Sequence, residues 1–89
     1  MHVAFVVHMA EGADAEALFS DETKRETQAV VMSLEEARKM GLSTSGIEAK
    51  AGQVVQIVIV ARRDAAWIQR TLESGEGVAG FQMVDVNIG

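Results

Sequence analysis

A chain of 89 residues without cysteine makes one domain, residues 1–89, with no disulfide or thiolate metal site to brace it. Eight Lys and Arg against thirteen Asp and Glu leave a net charge of −5, which disfavours a nucleic-acid backbone as partner. With three Phe, one Trp and no Tyr there is little to stack on bases, and no apolar run is long enough to span a bilayer. The first apolar run lacks the basic flank of a secretory leader, so a cytoplasmic protein with no membrane partner is the expectation.

In the His2–Met9 segment, Val3, Phe5, Val7 and Met9 alternate with His2, Ala4, Val6 and His8. This predicts a strand with one wholly apolar face and a second face carrying two histidines. Glu11 to Asp14 reads as a loop that ends in a helix cap at Asp14. Ala15 to Phe19 then starts a helix, but Ser20 to Gln28 (SDETKRETQ) is polar throughout. Either one long helix carries a solvated stretch here, or a short helical turn breaks and restarts. Val30, Val31, Leu34, Ala37 and Met40 recur at helical spacing and Gly41 supplies a stop, predicting a helix across Val30–Met40.

Leu42 to Lys50, interrupted by Gly46, reads as an edge strand that turns through Ala51-Gly52 into the next one. That next segment, Val54 to Val60, reads VVQIVIV, with six β-branched aliphatics around a single glutamine. Such residues favour a pleated surface and lose rotamer freedom in a helix, so this is a central strand buried on both faces. Arg62 and Arg63 end it, and Asp64 caps a helix whose buried stripe is Trp67, Ile68, Thr71 and Leu72, closed by Gly75. Phe81 to Ile88 forms the last strand, with Val84, Val86 and Ile88 on one face.

The order β-α-β-β-α-β predicts an α+β, ferredoxin-like domain. Its antiparallel sheet has order 4-1-3-2 and both helices lie on one face. The opposite face of such a sheet would be apolar and bare, which predicts a homodimer packed face to face around an internal space, forming a dimeric α+β barrel. Pairing of edge strands into larger homo-oligomeric rings is the other way to assemble.

Gly52, Gln56, the run Ile57–Val60, Thr71-Leu72 and Met83-Val84-Asp85-Val86 fall in the order found in the muconolactone isomerase-like family of the dimeric α+β barrel superfamily. The chain resembles that family over nearly its whole length. Val54 and Gln56 stand where the family has an aromatic residue and an asparagine. The resemblance implies a dimer that binds a small molecule and moves a proton on a lactone or carbonyl, with no cofactor and no metal. A non-catalytic oligomeric module that binds a ligand is the alternative.

His8 and Gln56 are the candidate catalytic pair, since the end of the first strand lies beside the start of the third. Histidine shuttles protons near neutral pH and an amide orients a carbonyl. Val54, Val58, Met83 and Asp85 are the candidate ligand-binding residues. His2 is expected near Asp85 and Asn87. Gln56 is the residue that asks most for an explanation, because an amide inside an aliphatic strand must pair with its own copy or water, or read a ligand.

Overall fold

The structure, a computed structural model, describes residues 2–41 and 53–86. Strand β1 spans His2–Met9, helix α1 Asp21–Thr27, strand β2 Val30–Ser33 and helix α2 Leu34–Lys39. Strand β3 follows at Val55–Ala61, helix α3 at Ala65–Ser74 and strand β4 at Val78–Val86, with 3-10 turns at Ala15–Ala17 and Arg62–Asp64. All neighbouring strands are antiparallel, in the order β2-β3-β1-β4. The fold is α+β and consistent with the ferredoxin-like arrangement. Among the described residues no helix is long and apolar enough to cross a membrane.

Of the two readings of the polar run, the broken one is correct. Asp14 accepts from the Glu16 N–H at 3.0 Å and starts a single 3-10 turn. The chain then restarts at Ser20, whose Oγ accepts from the Thr23 N–H at 3.1 Å to cap α1. Gln28 closes that helix in the left-handed region at φ 54°.

The helix expected across Val30–Met40 begins four residues later, and the difference has a local cause. Ser33 and Glu36 form a reciprocal capping box: Ser33 Oγ accepts from the Glu36 N–H at 3.1 Å, and Glu36 Oε1 from the Ser33 N–H at 3.3 Å. The box fixes the helix start at Leu34 and releases Val30–Ser33 to pair with Ile59, Val58, Ile57 and Gln56 of β3. The strand beside β3 is therefore Val30–Ser33. The Leu42–Lys50 strand and the Ala51-Gly52 turn expected from the sequence lie outside the described residues. Ser33→Ala removes one half of the box and should lower stability by about 1 kcal/mol in a urea titration.

Both faces of the sheet carry a core. On the first, Val3, Phe5, Val7 and Met9 of β1 join Val58 and Val60 of β3, covered by Phe19 and by Ile68 and Leu72 of α3. On the second, Ala4 and Val6 join Val55, Ile57, Ile59 and Met32, with Ala37 of α2 packed among them and Leu34 at the margin. This overturns the expectation of a bare face. Val6 is 1 % exposed, Ile57 3 % and Ile59 8 % within the single chain. The Phe19 segment and α3 do share one face as expected, but α2 lies on the other.

Trp67 is not part of the buried stripe of α3. Ile68 and Leu72, one helical turn apart, take the core side, and Trp67, one residue and about 100° away, is turned outward and 38 % exposed. Gly75 does end the helix, its N–H donating to the Leu72 carbonyl at 3.2 Å. Strand β4 starts at Val78, three residues before the expected Phe81. Asn87 and Ile88 lie outside the described residues.

Candidate functional site

Gln56 lies between Val55 and Ile57, whose side chains belong to the second-face core, so its own side chain leaves β3 on the first face. Its neighbours across the ladder are Val7 of β1 and Ser33 of β2. There it meets a groove of about 620 Å³, walled by Ala15, Leu18 and Phe19 on one side and by Val31, Met32 and Ser33 on the other. Glu16, Asp21, Lys24 and Glu36 bring charge to the same groove.

Local sequence positions each wall. The Asp14 cap aims Glu16, and the Ser20 cap begins α1 so that Asp21 and Lys24, three residues apart, stand on one side of it. Phe19, between the two caps, is 4 % exposed and anchors this segment to the first-face core. On the opposite wall the capping box already occupies Glu36 Oε1 and one lone pair of Ser33 Oγ, leaving the Ser33 hydroxyl hydrogen to donate. Gln56 is half-buried, and no partner for its amide is found among the described residues. Because no buried side-chain polar atom of the described residues is left unsatisfied, that amide keeps contact with solvent through the groove.

The candidate residues do not converge. His8 sits opposite Val55 and Gly80, on the second face with Ala4 and Val6, whereas Gln56 sits opposite Val7 on the first. The sheet itself separates them, so the His8–Gln56 pair expected from strand adjacency is not formed. Adjacent strand ends were read correctly; the alternation of sides decides against the contact. Val58 is fully buried in the first-face core and lines no open space. Val54, just ahead of β3, is 48 % exposed. Met83 lies opposite Phe5 on the outer strand and is likewise 48 % exposed, while Asp85 pairs with Val3. His2 pairs with Val86 and is exposed.

The run Ser20–Gln28, which reads most simply as a solvated helix face, contributes Asp21 and Lys24 to the groove. The signal that would have found this wall is the pair of caps at Asp14 and Ser20, which bends the segment across the sheet. A second cleft, about 570 Å³, lies between the loop after β1 and the loop before β4, with Glu11, Asp14 and Glu76 at its rim. Among the described residues no group of three His, Asp or Glu is placed to hold a metal ion. No protein-family model matches this chain and no curated protein matches it, so the likeness to the muconolactone isomerase-like family rests on the quoted residues alone.

Proposed function

We propose that the chain is a small-molecule-binding module that holds a polar, amino-bearing ligand in the groove over Gln56, and that it binds rather than converts that ligand. The observation carrying this reading is the Gln56 amide, half-buried in an aliphatic strand with its donors and acceptor unclaimed among the described residues. Its donors and acceptor reach solvent in the groove, where a ligand can take the place of water. Around it, Lys24 offers one positive charge and Glu16, Asp21 and Glu36 three negative ones, with Ser33 left as a hydroxyl donor. That set suits a zwitterion, with its ammonium towards the carboxylates and its carboxylate towards Lys24 and the amide. A simple anion would meet more repulsion than attraction. Glu16 and Asp21 are exposed, which argues against a desolvated general base and so for binding over proton transfer.

Titrating the free amino acids into labelled protein tests this by NMR. The Gln56 side-chain NH₂ signals and the backbone amides of Phe19 and Ser33 should shift saturably with at least one of them at millimolar concentration. Gln56→Leu should abolish the shifts while keeping the fold. Amide spectra that stay unchanged across the whole panel would end the proposal.

A further inference from the structure

Among the described residues strand β4 is one outer edge of the sheet, and its outward side has a definite pattern. The Met9 N–H donates to the Val54 carbonyl at 2.9 Å. Hydrogen-bonded pairs alternate along an antiparallel ladder, so odd-numbered residues of β1 bond to β3 and even-numbered ones to β4. The even-numbered partners on β4 are Gly80, Gln82, Val84 and Val86. Phe81 and Met83, between them, therefore direct their backbone N–H and C=O groups away from the sheet.

Soluble proteins usually blunt such an edge with a lysine, a proline, an added bulge or a short strand. The other edge, β2, is only four residues long. β4 runs for nine residues, with no charge or proline from Val78 to Val84, and its one register shift is confined to the end opposite His8 and Met9. Met83 at 48 % and Val84 at 38 % exposure lie on opposite faces of this same strand.

We propose that β4 pairs antiparallel with β4 of a second copy about a two-fold axis at Gln82, joining the two sheets into one. The strand is complementary to itself in this register. Phe81 and Met83 face each other on both sides of the axis as hydrogen-bonded pairs, which uses the groups the parity leaves free. Val84 falls opposite Gly80, and a Cβ at Gly80 would meet no atom within 4 Å, so there is room there for the partner's valine. Gln82 meets its own copy in a close, non-bonded pair where two amides can bond to each other. Large against empty and amide against amide select a second copy of this chain as the occupant.

Sedimentation velocity over a dilution series up to about 1 mM tests it, since a contact of this limited size belongs to the weaker class. The wild type should dimerise within that range. Gln82→Lys and Gln82→Glu, each placing like charges across the axis, should weaken dimerisation at least about tenfold with an unchanged melting curve. An equimolar mixture of the two should restore a one-to-one heterodimer. Met83→Pro, which removes an outward N–H and also fixes φ at that residue, should give a monomer as well, read beside its melting curve. A wild type that stays monomeric, a Gln82→Lys protein that dimerises as tightly, or a mixture that fails to associate would each overturn the proposal.

Discussion

A Val6→Asp chain should melt roughly 15–30 °C below the wild type at neutral pH, the largest loss we expect from one substitution. Val6 is 1 % exposed on the second face of the sheet, among Ala4, Met32, Ala37 and Ile57. A carboxylate there would be stripped of water among apolar core residues, with no cation in that described cluster to receive it, at a cost of about 4–5 kcal/mol. A domain of this size has roughly 5–13 kcal/mol in total. The sign with pH follows from burial. The new carboxyl would have its pKa raised in the folded state, so the folded form binds the proton more tightly. The deficit should therefore shrink as pH falls through that raised value towards the ordinary carboxyl range. Val30→Asp, on the same face but 51 % exposed, should cost under about 1 kcal/mol. Thermal melts of the two variants decide whether the face is closed by the chain itself. A Val6→Asp protein as stable as Val30→Asp would mean that it is open and available to a partner.

Phe5→Ala should remove about 3–5 kcal/mol, read as a lower urea midpoint with an unchanged slope. Phe5 is fully buried at the centre of the first-face core, and its ring meets that of Phe81 at 6.1 Å with the planes tilted by 60°. The ring touches both the middle strand and the outer one, so its loss leaves a hole that no single neighbour can fill. The surrounding residues, Val3, Val7, Val58 and Val60, are short and stiff at χ1, which limits collapse into the space. A midpoint shifted by less than 1 kcal/mol would show that the first-face core is organised around something else.

The strands β1 and β3 were legible because β-branched and alternating apolar residues are read directly from composition and period. The sheet order followed from them. The second strand was missed because VVM at positions 30–32 fits a helical spacing as well as a strand, and only the S-x-x-E box at Ser33 and Glu36 resolves it. A helix running from Val30 leaves no element to cover the second face, which is why the sequence pattern implies a bare face and the structure, with its helix starting at Leu34, does not. Gln56 was legible as the odd residue in its strand, but its groove was not. The groove depends on how the polar Ser20–Gln28 segment bends back over the sheet, and this is set by caps rather than by hydrophobic pattern. The separation of His8 from Gln56 was available from the register: partners whose numbers add to 63 put His8 beside Val55, and Gln56 one residue out of step.

The placement of β1 between β3 and β4 has a consequence for how the chain comes together. The strand nearest the start of the sequence hydrogen-bonds on one side to Val55–Ala61 and on the other to Val78–Val86. During synthesis its residues must wait for partners 47 to 59 positions downstream in β3, and the second flank arrives only with β4. Closing such distant pairings is slow, and the waiting strand is exposed to misassociation until they form. A nascent chain halted before Val78 would hold an apolar strand, β1, with one edge unsatisfied, and this is the species a chaperone would be expected to meet.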